Sequence, residues 1–322
     1  GMKSPYGAAI GCSPPIPSSP PAPPADCPNA IYVANYGSNN IAILDASTHA
    51  QLGTISGSGV NGPVSVAYDR IKQQLYVGNW NDDTVGVFNA ATNVKMGILS
   101  GNGIDAPYGV GVGNEGRLYV ANLDAQGGKG ISRFDTNNQF AALPALTSTP
   151  YAGGIAVGVN KVFASNYFNN TIAIFDPTNN DAYIGSISGN GLNKPFGLAA
   201  VGLNVYAANN GANTLSEFDQ TTLGFVRTVS GNSLNSPYGM AFNATDMFAA
   251  NGNSTISDFS ATSGAAFGVL AGSSINQTYG VAAGRSCGVL KKTMDFRRSL
   301  GNAKAPLLER EISSHGFAAS AT

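Results

Sequence analysis

Short apolar runs alternate along this chain with clusters of Gly, Asn, Asp and Pro, a pattern of strands and tight turns. One run recurs six times: Ile31-Tyr32-Val33-Ala34-Asn35, Leu75-Tyr76-Val77-Gly78-Asn79, Leu118-Tyr119-Val120-Ala121-Asn122, Val162-Phe163-Ala164-Ser165-Asn166, Val205-Tyr206-Ala207-Ala208-Asn209 and Met247-Phe248-Ala249-Ala250-Asn251. A second run follows it and closes on an apolar-acidic pair in most copies, as in Leu44-Asp45, Phe134-Asp135, Phe175-Asp176 and Phe218-Asp219. Ahead of each pair of runs stands a Pro-aromatic-Gly tripeptide: Pro107-Tyr108-Gly109, Pro195-Phe196-Gly197 and Pro237-Tyr238-Gly239. Looser copies are Pro63-Val64-Ser65, Pro150-Tyr151-Ala152-Gly153 and Thr278-Tyr279-Gly280. The copies are spaced by 41 to 45 residues.

A repeat of that length built from short strands predicts β-propeller blades. Four strand segments, A to D, are expected per blade; in the fifth they are Phe196–Val201, Val205–Asn209, Thr214–Asp219 and Phe225–Ser230. Aromatics of B and C are expected to pack between blades, and the small residues of A to line a crowded channel. Pro144 falls in a D segment, which an outer edge strand tolerates. The first blade lacks an A strand, and the last A strand, Tyr279–Gly284, lacks a B strand. The two halves complete each other. The prediction is an all-β, six-bladed propeller closed by its C-terminal strand, over residues 28–284, with no open sheet edge left at the join.

Composition narrows the function. Only 11% of the residues are charged and the net charge is −1, which gives no footprint for nucleic acid. No apolar stretch is long enough for a transmembrane helix, and residues 1–12 lack the apolar core of a signal peptide. Residues 1–27 form a Pro-rich N-terminal segment, and residues 285–322 a basic tail expected to be peripheral or flexible. Aligning the blades places Cys27 and Cys287 at neighbouring positions of one A–B turn, so a disulfide between them is expected to lock the closure. That bridge implies an oxidising compartment, extracellular, periplasmic or in the cell envelope. A closed ring of this kind is expected to be a monomer.

The run Ser188-Gly189-Asn190-Gly191-Leu192-Asn193-Lys194-Pro195-Phe196-Gly197-Leu198-Ala199 resembles the opening of an NHL repeat. Ile31-Tyr32-Val33-Ala34-Asn35 with Asn40-Ile41-Ala42-Ile43-Leu44-Asp45 resembles the YVTN repeat of surface-layer-type propellers. The resemblance implies the fold; binding proteins, lyases and lactonases all use it. Lactonase-type propellers hold calcium with Glu, Asn and Asp, and Asp82 and Asp83 are the acids near the channel mouth here, with no Glu in the A strands.

In a propeller the D–A and B–C connections share one face, around the mouth. Here they supply Tyr108, Tyr151, Phe196, Tyr238 and Tyr279 from the first set, and Trp80, Asp82, Asp83, Asp124 and Tyr167 from the second. The strand-B asparagines are expected to bond backbone across the B–C turn. The aromatic after each Pro is open to two readings, a wedge between blades or a ligand contact. Trp80 is the one Trp and sits in a turn among polar groups, which favours recognition. Of the two histidines, His49 is placed on the opposite face and His315 in the tail, so histidine-dependent lyase chemistry and a Ser-His-Asp triad draw no support. The expectation is a non-catalytic scaffold that holds a protein or glycan through Trp80, Tyr108, Tyr151, Tyr167, Phe196, Tyr238 and Tyr279, without a cofactor. The alternative is a calcium-dependent lactonase-like hydrolase or lyase at the same mouth, with Asp82 and Asp83 as ligands.

Overall fold

The computed structural model describes residues 29–113, 115–123, 130–149 and 151–285. Six antiparallel four-stranded sheets form the blades of a propeller. Blade 1 holds β1 (Asn29–Asn35), β2 (Asn40–Asp45) and β3 (Gln51–Ser56). Blade 2 holds β4 (Pro63–Asp69), β5 (Gln74–Asn79), β6 (Thr84–Asn89) and β7 (Lys95–Leu99). Blade 3 holds β8 (Pro107–Val112), β9 (Arg117–Asn122), β10 (Ile131–Asp135) and β11 (Ala141–Leu146). Blade 4 holds β12 (Ala152–Val157), β13 (Val162–Asn166), β14 (Thr171–Asp176) and β15 (Ala182–Ser188). Blade 5 holds β16 (Pro195–Val201), β17 (Asn204–Asn209), β18 (Thr214–Asp219) and β19 (Phe225–Ser230). Blade 6 holds β20 (Pro237–Phe242), β21 (Asp246–Asn251), β22 (Thr255–Ser260) and β23 (Ala266–Leu270). The last strand, β24 (Thr278–Arg285), returns to blade 1 and pairs with β1 from Ala34↔Gly280 to Asn29↔Arg285. The closure read from the sequence is the closure observed. Cys27 and Cys287 lie outside the described residues, each two positions beyond that last pair.

The run pattern follows from the position of each strand in its blade. Strands B and C are covered on both faces by neighbouring blades, so their apolar residues are consecutive, and Tyr32, Tyr76, Tyr119, Phe163 and Phe248 are fully buried. Strand D is the outer edge and alternates towards solvent, as in Lys95–Leu99 and Ala141–Leu146, where Pro144 costs no ladder bond. Each blade seam has its own apolar core: Tyr32 with Leu75 and Phe88, Tyr76 with Leu118 and Phe134, Phe163 with Phe218, and Phe248 with Ile31 at the closing seam. Buried tyrosine hydroxyls find partners, Tyr119 donating to Asp181 Oδ1 at 2.8 Å and Tyr206 to Glu217 Oε1 at 2.9 Å.

The terminal acid of strand C is a turn residue. Asp45 Oδ1 accepts from the amides of Ser47 and Thr48, and Asp219 Oδ1 from those of Thr221 and Thr222, all at 2.7–2.8 Å. These bonds hold both carboxyls below the ordinary range. The A strands explain the motif glycines. A Cβ on Gly197 would stand 2.0 Å from Tyr238 O, and one on Gly109 2.7 Å from the Cα of Gly154. Neighbouring A strands touch backbone to backbone, and only Gly permits it.

That contact also corrects one repeat. Ala152 pairs with Asn166 as Pro107 pairs with Asn122, so Ala152-Gly153-Gly154 occupies the Pro-aromatic-Gly positions of blade 4. Tyr151 stands one residue earlier, with φ of 62°. The sequence Pro150-Tyr151 imitates the motif two residues out of register.

Candidate functional site

The mouth is built on a frame of asparagines. Asn79 Oδ1 accepts from Asn61 N at 3.0 Å, Asn122 Oδ1 from Asp105 N at 3.1 Å, and Asn251 Oδ1 from Asn235 N at 3.1 Å. Their amides donate to strand-C hydroxyls, Asn79 to Thr84 and Asn251 to Thr255 and Ser257. The bond across the B–C turn thus goes to a side-chain hydroxyl and not to the backbone expected, and the backbone bond of the same side chain holds the D–A loop leading into its own blade. Asn166 is the exception and accepts from Asn169 N.

A second set of side chains clips five of the blades to the next. The left-handed residue at the end of the B–C turn accepts the amide of the residue before the following blade's motif in blades 1, 2, 4, 5 and 6. Asn39 takes Gly62 N, Asp83 takes Ala106 N, Asn170 takes Lys194 N, and Asn213 takes Ser236 N, at 2.6–2.8 Å. Ser254 takes Gln277 N at 2.9 Å. Asp83 is therefore one member of a structural series. Asp82 Oδ1 accepts from its own turn, from Thr84 Oγ1 at 2.7 Å. Asp124 lies outside the described residues.

On this frame the aromatic side chains meet one another. Tyr108, Phe196, Tyr238 and Tyr279 form a closed cycle: Tyr108–Phe196 at 4.9 Å between ring centroids, Phe196–Tyr238 at 5.0 Å, Tyr238–Tyr279 at 4.6 Å and Tyr279–Tyr108 at 6.2 Å. The pairs are edge-to-face or tilted, the geometry that ring quadrupoles favour. The same four residues line the channel cavity, about 270 Å³, together with the A strands, so they cap it. They are thus neither simple wedges between blades nor free side chains. Blades 2 and 4 contribute no ring to the cycle, having Val64 and Gly153 at that position. Both carry rings in the B–C turn instead. Trp80 of blade 2 stands 4.6 Å from Tyr108, and Tyr167 of blade 4 stands 5.5 Å from Phe196.

Phe168 joins Tyr167 and Tyr151 at 5.1 and 5.0 Å, and Tyr36 joins Tyr279 at 5.8 Å. All seven rings expected at the mouth belong to one contact network, which adds Tyr36 and Phe168. The signal for Tyr36 was its place directly after the strand-B asparagine, the position Trp80 and Tyr167 share, and Phe168 follows Tyr167 in the same turn. Phe168 is 57% exposed. Lys194 Nζ lies 5.7 Å above the Tyr167 ring. Burial, then the neighbouring tyrosines, raise the phenol pKa values of Tyr108 and Tyr279, so both remain protonated donors at physiological pH.

Among the described residues, no group of three His, Cys, Asp or Glu side chains is placed to hold a metal ion. His49 lies in the turn between β2 and β3, away from the mouth, with Nε2 3.4 Å from Asp258 Oδ2.

Comparison with known proteins identifies the fold and stops there. No family model and no curated protein matches the sequence. A chain in the crystal structure of a nidogen/laminin complex superposes with a TM-score of 0.67 at 10% identity, over 79% of this chain and 98% of that one. A functionally unknown protein from Desulfotomaculum acetoxidans DSM 771 gives a TM-score of 0.57 at 14% identity, with the same coverage. No helix among the described residues is long and apolar enough to cross a membrane.

Proposed function

We propose that this chain is a non-catalytic binding scaffold of the NHL/YVTN type, secreted or attached to the cell envelope, that holds a protein or glycan on the ring-lined mouth. The observation that carries the reading is the continuous network of nine aromatic side chains on one face, seated on asparagine-anchored loops. Tyr and Trp combine apolar area with hydrogen-bond donors at low entropic cost, and such residues dominate recognition surfaces. Rings that already brace one another need little ordering on binding. The alternative, a calcium-dependent lactonase-like hydrolase using Asp82 and Asp83, has less support. Asp83 is engaged by the next blade and Asp82 by Thr84, and a hard cation requires several oxygen ligands at once.

The test is capture of protein and glycan partners by the immobilised chain, repeated with Trp80→Ala and Phe168→Ala. A true mouth ligand loses about tenfold or more in affinity in at least one variant, and keeps it when Lys161 on the opposite face becomes Ala. A partner indifferent to both ring variants refutes this assignment of the binding face.

A further inference from the structure

The mouth offers ring faces and edges with O–H and N–H donors among them, and the cationic group recorded against its rings is Lys194. A ligand that suits it presents flat apolar groups and acceptors, with few donors. A polyproline II strand does this: its rings lack N–H groups, its carbonyls point outward unpaired, and its stiffness lowers the entropic cost of docking on aromatic grooves. The chain contains such a sequence in Ser13-Pro14-Pro15-Ile16-Pro17-Ser18-Ser19-Pro20-Pro21-Ala22-Pro23-Pro24. It has no charged residue. Pro14, Pro17, Pro20 and Pro23 recur every three residues, which is one turn of that helix, so the pattern puts four prolines along one edge. A plain spacer has no need of that period.

We infer that the aromatic mouth takes residues 13–24 of a second copy of this chain as a polyproline strand; the inference rests on reading the mouth as the binding face. Reach decides between the chain's own mouth and a neighbour's. β1 ends at the mouth, where Asn35 Oδ1 accepts from Asn276 N, so its first residue, Asn29, lies at the other pole. The six steps from Asn29 to Asn35 rise about 20 Å. Pro24 is five residues from Asn29 and spans at most about 18 Å. The straight route along the axis is capped by Tyr108, Phe196, Tyr238 and Tyr279, and the route around the blade is longer still. The prolines nearest Asn29 therefore stay off their own mouth, and the whole stretch from Pro14 to Pro23 can lie along the rings only on a neighbour. Such a contact joins unlike faces, and repeats as an open string of copies unless the rotation closes. It replaces the expected monomer with a concentration-dependent association.

Trp80 is the sole tryptophan and sits in the network, so its emission reports occupancy. The full chain, held dilute, is titrated with a synthetic peptide of residues 13–24, and with a version carrying Ala for Pro14, Pro17, Pro20 and Pro23. The expected result is a saturable Trp80 shift, weakened about tenfold or more by the Ala peptide and by Phe168→Ala or Tyr151→Ala in the protein. Sedimentation of the full chain at rising concentration shows association that the free peptide competes away. A Trp80 signal untouched by the peptide, or equal for both peptides, overturns the inference. If Trp80 instead answers a panel of soluble glycans, or a captured protein is lost on Phe168→Ala, the reading of the mouth stands and the polyproline occupant falls. Peptide binding unchanged by every ring variant removes both.

Discussion

Replacing Tyr108 by Ala removes the ring at the centre of the network. It touches Trp80, Phe196 and Tyr279 at centroid distances of 4.6, 4.9 and 6.2 Å. Each aromatic pair contributes roughly 0.5–1.5 kcal/mol beyond burial, and the longest of the three belongs at the low end. A fully buried aromatic cut to Ala costs roughly 3–5 kcal/mol in all; Tyr108 is only partly buried, so about 3 kcal/mol is expected. Urea unfolding followed by far-UV circular dichroism measures it without relying on Trp80. Tyr108→Phe keeps the three ring contacts and is expected to stay within about 0.5 kcal/mol of the parent. A double-mutant cycle with Trp80→Ala should return a coupling of about 1 kcal/mol. If Tyr108→Ala costs no more than an ordinary surface substitution, or the cycle shows no coupling, the rings do not brace one another and the argument for a preorganised mouth fails.

Two predictions concern the closing seam between blades 6 and 1. Burial, then Asp246, raises the carboxyl of Asp258 from 3.8 to about 6, with His49 opposing, and Asp258 Oδ1 has no partner among the described residues. The folded state binds this proton more tightly than the unfolded one, so the penalty is absent below about pH 4, grows through pH 6 and is complete above it, with a limit of about 3 kcal/mol. Asp258→Asn should therefore stabilise the protein more at pH 7.5 than at pH 5; equal gains in chemical denaturation at the two pH values would count against a buried, ionising Asp258. The second prediction is a Cys27–Cys287 bridge. Peptide mapping of unreduced protein should find the two joined, and reduction should cost up to about 5 kcal/mol, the limit for a loop enclosing the whole propeller. Recovery of both as free thiols from oxidised protein would remove the bridge, and with it the main support for an oxidising compartment.

The fold was legible because a propeller repeats its physics. Each blade must bury strands B and C on both faces and turn at the same places, so Tyr76-Val77-Gly78-Asn79 recurs with its aromatic and its Asn. The half-blades at the two ends made the closure readable too. Tyr151 misled because a Pro-Tyr pair can sit two residues off the motif, and only the strand pairing of Ala152 and the backbone contact of Gly154 with its neighbours fix the register. The dual bonding of Asn79 and the clip by Asp83 were not readable. Both depend on which loops close up in space, and an Asp in a turn looks the same whether it caps, clips or binds.

The departures from sixfold symmetry say most about function. Six large rings on six A strands would crowd the axis; Val64 and Gly153 on either side of Tyr108 leave it room to reach Phe196 and Tyr279. A purely structural cap would be complete at that point. Yet the two blades that give up the inner ring carry Trp80 and Tyr167-Phe168 further out, and Phe168 remains largely in solvent. Exposing a large apolar ring is unfavourable for the isolated chain, and this one is held by Tyr151 and Tyr167 instead of folding away. The outer rings also give the face a direction, from blade 2 across Tyr108 to blade 4, that a sixfold cap lacks. A directional row of braced rings suits an extended ligand laid across the mouth better than a small one bound on the axis.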